Sequence, residues 1–544
     1  MTYVKRNAKH LLCVAFYCFL LLVVCAAYSF DLKAPYELPD ASSGVKVWAD
    51  QFATLNAQAA QFAATHFVGC QKIEKSQSDL IRVFNNKFLV LHYIQAYGPS
   101  VMGNWTLNGW ESDINAFNGF VEAHKATWNR ESYFQHFDGI TDSAHRVVLK
   151  DGTVFNFYLA DLNHAGWRQY FKEQTIARCS AYAFNGTFFD NGRFPESGYY
   201  PSGWFNYPSG GFSAGDPILS IWWNTMALDY WTEIRTAYHA ESLLVLPNID
   251  RMMTGWVDDF YVNGTDGGMV ENWFTGMNST DWGLSAGRIL KYITGADKIL
   301  MAHAATPAIN TIPKRHWCIA NYFLLKNRYS YYVLCPGTAQ PYWWAEYDID
   351  LGYFLTPPPA TLADLMVGRT GVYAREYQKG IVFVNPSITN ASVFLDTPCR
   401  PLSFSGGGLV MNGQKPVDIQ ITLGAIDSGI ITIPAQSGII YVREHPLSID
   451  KKKIKNKKAM IKAIPNPFNP TTTITVYDDA PQNKQCVLTI RDIRGNIVET
   501  IKDMDIIASG ISATWDAKDR ANGIYFVKAD MDSRQYTTTL VLMK

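Results

Sequence analysis

A chain of 544 residues is too long for one compact domain, and two or three are expected. Its 48 basic and 48 acidic residues cancel, which excludes the basic excess a nucleic-acid binder needs to neutralise phosphates. Aromatics make up 14% of the chain, a supply that serves large cores and sugar-stacking grooves equally well.

The first segment reads as an export signal, residues 1–29. Lys5, Arg6, Lys9 and His10 form a basic start, Leu11 to Ala27 is apolar, and Ala26, Ala27 and Ser29 offer a cleavage site. An uncleaved anchor is the competing reading. A lipid attachment at Cys25 is disfavoured by bulky Val24. Residues 30–80 read as a helical, polar lead-in.

From Phe88 short β-rich runs alternate with helical stretches. The expected strands are FLVLHYI (88–94), SYFQHF (132–137), VFNFYLA (154–160), AFNGTFFD (183–190), SLLVLPN (242–248), GGMVEN (267–272), KILMAHA (298–304) and YYVL (331–334). Trp167–Tyr182, Ile218–Tyr238, Leu284–Thr294 and His316–Asn327 lie between several of them as helices. Eight strands in that alternation predict an α/β chain whose residues 81–358 close a (β/α)8 TIM barrel. An open doubly wound sheet would carry a Gly-rich phosphate turn after its first strand, and none is present.

After Thr356–Pro359 the pattern becomes short β runs punctuated by Gly, Pro and Asn, which predicts a small antiparallel β-sandwich over 359–446. KKKIKNKK, Lys451 to Lys458, lies in an expected linker over 447–462. A last β-unit of 463–544 is expected to be an immunoglobulin-like β-sandwich. Three cysteines fall in the signal. The other six, Cys70, Cys179, Cys318, Cys335, Cys399 and Cys486, show no metal-ligand spacing, and only Cys318 with Cys335 suggests a disulfide.

The final unit contains P-N-P-F-N-P at Pro465–Pro470 and G-I-Y-F-V at Gly523–Val527. It resembles the C-terminal sorting domain of type IX secretion. That resemblance implies the type IX machinery as partner, a secreted or cell-surface location, and membrane contact only during export or surface attachment. The barrel region is similar to a bacterial family of glycosyl-hydrolase-like TIM-barrel proteins. Its matching stretches are YLADLNHAGWRQYF (158–171), FNGTFFDN (184–191), GGMVENWF (267–274) and GVYAREYQKGIVFVNPS (371–387). Two departures stand out: Asn185-Gly186 where the family often has Asp-Gly, and an aromatic insert, Arg193–Gly215.

Barrel enzymes carry their working residues at the C-terminal ends of the strands. Asp138, Asp161, Asp190 and Glu271 fall there, and glycoside hydrolysis needs two carboxyl groups across the scissile bond. The arrangement resembles the α-galactosidase and α-glucosidase clan, which implies Asp190 as nucleophile and Glu271 as acid/base, with Asp266 an alternative acid. The expected sugar platform comprises His92, Gln95, Asp161, Asn191, Asn248, Trp273, His303 and Glu346, with Tyr97, Asp250 and Trp343-Trp344 near it. No metal or cofactor is expected, since HExxH and H-x-H patterns are missing from the sequence. The resulting expectation is a secreted hydrolase of a poly- or oligosaccharide. The alternative is a non-catalytic carbohydrate-binding surface protein on the same scaffold.

Overall fold

The structure is a computed structural model. It describes residues 38–99, 114–136, 140–151, 155–192, 204–205, 212–213, 217–249, 260–275, 279–305, 311–335, 337–447, 460–464, 466, 468–477, 486–502, 504–507, 510–531 and 534–544. The export signal, the lysine run, Asp138, Asp250, Pro465, Pro467 and most of the aromatic insert lie outside these residues. The chain forms two compact units, up to Leu447 and from Ser448.

The first unit contains the barrel. Its eight parallel strands are β1 (Val47–Phe52), β2 (Phe67–Ile73), β3 (Leu89–Gln95), β4 (Gly186–Asp190), β5 (Leu244–Pro247), β6 (Gly267–Val270), β7 (Ile299–Ala305) and β8 (Ser330–Cys335). They pair in the order β6-β7-β8-β1-β2-β3-β4-β5. A bridge between Asn248 and Met269 and the hydrogen bond from Ile249 N–H to the Met269 carbonyl (2.9 Å) close the ring between β5 and β6.

Two expectations are corrected by this order. The expected lead-in of 30–80 belongs to the barrel from residue 47 onward, because VWADQF and FVGCQKI are the first two barrel strands. SYFQHF and VFNFYLA are not barrel strands. The first begins in a short 3-10 helix, Arg130–Tyr133, and the second pairs antiparallel with Val148–Asp151 in a hairpin inserted between β3 and β4. The physical reason is local: both runs have strand composition, but their partners are each other's neighbours rather than the barrel.

Helices wrap the ring: α1 (Ala57–His66), α2 (Lys75–Phe84), α3 (Ile114–Ala123), α4 (Ala165–Tyr182), α5 (Pro217–Ala240), α6 (Ser279–Ile289) and α7 (Ile312–Leu325). The Asn56 side chain caps α1 by accepting the Ala59 N–H at 2.8 Å, and α7 has Pro313 in its first turn, where a missing N–H is tolerated. In α4, Trp167, Tyr170 and Phe171 recur at helical spacing and are buried.

Side chains alternate along each strand, so every second residue faces the barrel axis. Trp48, Leu91, Phe188, Leu246, Met269 and Met301 form an apolar plug there, each buried side chain stabilising by about 1.5–3 kcal/mol. Gly267 is fixed by close approach: its φ is 138°, and an added Cβ would lie 1.9 Å from the Ile299 carbonyl oxygen. Gly267→Ala would therefore push β6 off β7.

Residues 373–443 form the expected antiparallel sandwich, with strands Tyr373–Tyr377, Gly380–Asn385, Ser437–Arg443 and Ala391–Ser405 in that spatial order. It is pinned to α7, where the Tyr377 hydroxyl donates to the Phe323 carbonyl at 2.6 Å and Gly438 lies against Ala320. The second unit is two four-stranded antiparallel sheets over a core that includes Ile474, Leu488, Trp515, Val527 and Leu540. Met460–Ile464, read in part as linker, is already a strand of it. Gly523–Met531 pairs along its length with Arg534–Leu542. Among the described residues no helix is long and apolar enough to cross a membrane.

Candidate functional site

Continuing each inward-facing row by two residues carries it from the apolar plug to the mouth. The residues reached are polar: Asp50 after Trp48, Asp190 after Phe188, Asn248 after Leu246, Glu271 after Met269 and His303 after Met301. Lys72 joins them from the end of β2, Gln95 from β3 and Cys335 from β8, so every strand contributes to one rim.

The rim is wired together. The Asn248 Nδ2 donates to Asp190 Oδ1 and to Glu271 Oε2, each at 2.8 Å. Those two carboxylate oxygens therefore stand no farther apart than twice that distance. Asp190 also accepts from its neighbour's backbone, Asn191 N–H at 2.9 Å, and from the Tyr93 hydroxyl. Asn191 Nδ2 in turn donates to Gln95 Oε1 at 2.9 Å. Asn191 and Asn272, the residues directly after the two acids, hold φ of 51° and 54°, which Asn tolerates better than most side chains. Both acids thus end a strand where the chain turns sharply away.

A second group adjoins the first. Lys72 Nζ lies 3.2 and 3.3 Å from the Asp50 carboxylate oxygens and 5.0 Å above the Tyr93 ring. Burial opposes its charge, yet Asp50, Asp190 and Glu271 together hold its ammonium above the ordinary lysine range. Burial also opposes ionisation of Asp50, but Lys72 and His303 carry its carboxyl below the usual value. Gln71 Nε2 donates to Asp50 at 2.7 Å. Burial and the nearby Asp50 push the Cys335 thiol up to about 12, which keeps it neutral. Cys318 and Cys335 are both free thiols, not a disulfide.

Of the expected platform, Gln95, Asn191, Asn248 and His303 stand at this rim with Asp190 and Glu271. The others do not. His92 alternates with Tyr93 and faces outward into a cavity shared with Trp167, Tyr170 and Phe171 of α4. Asp161 closes a turn before α4 by accepting the Asn163 N–H at 3.0 Å, and burial raises its carboxyl. Trp273 is fully buried and donates its indole N–H to the Cys318 carbonyl at 2.9 Å. Glu346 is fully buried against Arg315, whose Nε lies 2.8 Å away and whose guanidinium also reaches the Gly406 carbonyl of the sandwich. Trp343 packs on Phe62 and Phe67. Tyr97 is buried too, donating to the Gly192 carbonyl at 2.6 Å and so tying down the loop after β4.

Asp266 sits at the opposite end of β6, held by Arg235 and His239 at 2.9 Å, which removes it as an alternative acid. The Asn185 departure also lies at that far end, where its Oδ1 accepts from Arg82 and from the Val90 N–H. Asp50, Lys72 and Tyr93 were not among the expected residues. The alternation Trp48-x-Asp50 and Leu91-x-Tyr93 is the signal that could have found two of them.

No curated protein matches the sequence. Among solved structures the chain is similar to a cycloisomaltooligosaccharide glucanotransferase of Paenibacillus sp., at 9% identity over 74% of this chain, with a TM-score of 0.31. It spans only 56% of that enzyme's length. It is also similar to an α-amylase of Geobacillus thermoleovorans (10% identity, 74% of this chain and 98% of that one, TM-score 0.35) and to the maltogenic α-amylase AmyB of Thermotoga neapolitana (12%, 73% and 98%, 0.37). A family model described as "Secretion system C-terminal sorting domain" matches residues 462–543, which makes the second unit an export address and the chain a secreted or surface protein. A further model matches residues 84–381, more than half of the 544 residues, and the chain belongs to the family it describes, "Hypothetical glycosyl hydrolase family 15".

Proposed function

We propose that the chain is a glycoside hydrolase that works by double displacement, with Asp190 as nucleophile and Glu271 as acid/base. The observation that carries this reading is the single Asn248 amide that holds one oxygen of each acid at 2.8 Å. Retaining enzymes keep their two carboxyl groups about 5–5.5 Å apart, whereas inverting enzymes need roughly 6.5–9.5 Å to admit a water between them. A shared amide suits the closer spacing.

The division of labour follows from the donors. Asp190 accepts from Tyr93, Asn248 and the Asn191 backbone, a constellation that suits a fixed anion aimed at the anomeric carbon. Glu271 then gives its proton to the departing glycosidic oxygen. A covalent bond forms between an Asp190 oxygen and the anomeric carbon as the bond to the leaving oxygen breaks. In the second half, Glu271 takes a proton from water, the water oxygen attacks the same carbon, and the Asp190 ester opens. The substrate is a carbohydrate of the poly- or oligosaccharide class, met outside the cell.

The test is a glycan-library hydrolysis screen with the wild type, Asp190→Asn and Glu271→Gln, followed by NMR of the first-formed anomer. Cleavage with retained anomeric configuration, lost in both variants, is the expected result. Unchanged cleavage in the variants would remove these two residues from the reaction. Glycan binding by the wild type without any cleavage would favour the non-catalytic binding protein.

A further inference from the structure

His303 is 4% exposed, and neither of its ring nitrogens has a hydrogen-bond partner. A buried polar group left unsatisfied destabilises the protein by about 1–3 kcal/mol, so a histidine kept in that state at a barrel mouth calls for a ligand atom. Its Nε2 lies 3.9 Å from Asp50 Oδ1, too far for a direct hydrogen bond. A hydroxyl oxygen between them can reach both at about 2.8 Å. Lys72 faces both oxygens of the same carboxylate and carries electrostatic links to Asp190 and Glu271 as well. The corner is therefore continuous with the two acids.

Asp50, His303 and Cys335 also make a set whose atoms are close enough to hold a metal ion. Two features fit a hydroxyl better. The Lys72 ammonium already faces both oxygens of Asp50, where it would repel a cation, and the Cys335 thiol keeps its proton. Charge also restricts the sugar. Among the described rim residues the carboxylates of Asp50 and Asp190, with Glu271 as the proton donor beside them, outnumber the one ammonium of Lys72, so a further anion on the substrate is repelled.

We propose that Asp50, Lys72 and His303 form the recognition corner for adjacent hydroxyls of the sugar whose anomeric carbon lies at Asp190, and that the sugar taken there is an uncharged pyranose rather than a uronate. This rests on the hydrolase reading and adds residues to it. Asp50 and Lys72 lie before the stretch matched by the family model, which begins at residue 84.

The experiment uses the full-length protein and 4-nitrophenyl glycosides of glucose, galactose, mannose and xylose in both anomeric forms. The matching glucuronides and galacturonides, and the monodeoxy forms of whichever sugar is cleaved, complete the panel. The wild type should prefer a neutral glycoside over its uronide by roughly 100-fold in kcat/KM. Asp50→Asn and His303→Ala should each lower kcat/KM on the parent sugar by roughly 10- to 100-fold, yet by no more than about threefold on one particular monodeoxy sugar. Thermal melts and a second variant, His303→Gln, separate this pattern from unfolding. Equal losses on parent and every deoxy sugar, no loss at all, or a preference for uronides would overturn the corner while leaving the two acids in place. Tight Zn2+ binding by calorimetry, abolished in Asp50→Asn, would assign the residues to a metal instead. Failure of the wild type to cleave any glycoside would bring down the hydrolase reading itself.

Discussion

The two ends of the barrel hold polar groups in opposite conditions. At the N-terminal end, Asp266 is saturated by Arg235, His239 and the Val245 N–H, and the ammonium of Lys298 donates to the carbonyls of Val262, Asn263 and Thr265 at 2.6–2.9 Å. Burial, with Arg235 nearby, pulls the Lys298 ammonium down to about 7, while Asp266 favours its charged form and the three carbonyls accept its hydrogen bonds. At the C-terminal end, Asp190 and Glu271 share one amide, and His303 has ring nitrogens with no partner. Saturated polar groups fix a structure; groups left with capacity at a mouth are the ones the proposed function gives to a ligand. The same barrel thus separates stability from chemistry along its axis.

The largest effects should divide along that line. Asp190→Asn and Glu271→Gln are expected to lower kcat by roughly a thousandfold or more with little change in melting temperature. Asp266→Ala should do the reverse, lowering stability by about 3–5 kcal/mol because Arg235, His239 and the Val245 N–H lose the fully buried carboxylate they share, while the protein that remains folded keeps its kcat. Steady-state kinetics and denaturant titrations on the three variants decide it. A stable Asp266→Ala with lost activity would erase the distinction between the ends.

How far this could be read from the sequence depends on the same distinction. Strands β3 to β8 announce themselves because their plug residues are apolar, and β4, β5 and β6 run into Asn191, Asn248 and Asn272. β1 and β2 are hidden in the sequence because Asp50, Gln51, Gln71 and Lys72 interrupt the apolar pattern, and that polarity is what the mouth requires. The hairpin runs at 132–137 and 154–160 have strand composition without barrel partners. Two omissions and two inclusions offset each other, so Asp190 and Glu271 kept their places at the fourth and sixth strands. Asp190, Asn248, Glu271 and His303 were legible as polar residues that terminate apolar alternation. Glu346 and Asp266 looked equally suitable, but a linear sequence does not reveal that Arg315 and Arg235 reach them from distant helices.

Smaller perturbations sharpen the contrast further. Lys298→Met removes the donor shared by three carbonyls, those of Val262 and Thr265 buried, and should destabilise by about 2–4 kcal/mol with kcat intact, read by denaturant titration and kinetics together. At the other end, Tyr93→Phe removes one of the donors that fix Asp190. It should lower kcat by roughly tenfold with KM nearly unchanged, since the loss falls on the attacking group rather than on sugar binding. A change confined to KM would move Tyr93 from nucleophile positioning to substrate contact.

The smallest expected effect is a pH dependence at the mouth. Burial resists ionisation of Asp50, but Lys72 and His303 leave its folded carboxyl below the ordinary value. A carboxyl depressed on folding contributes stability that is fully present above its unfolded value, near 3.9, and is lost as pH falls through the folded value. Asp50→Asn lacks that contribution at every pH. Wild type should therefore melt higher than the variant at pH 7, and the two curves should converge as the pH is lowered below about 4. Carboxylates elsewhere titrate in both proteins and cancel in the difference. A gap that stays constant down to acid pH would mean that Asp50 contributes by packing and hydrogen bonding rather than by charge, and its pairing with Lys72 would then carry no net stabilisation.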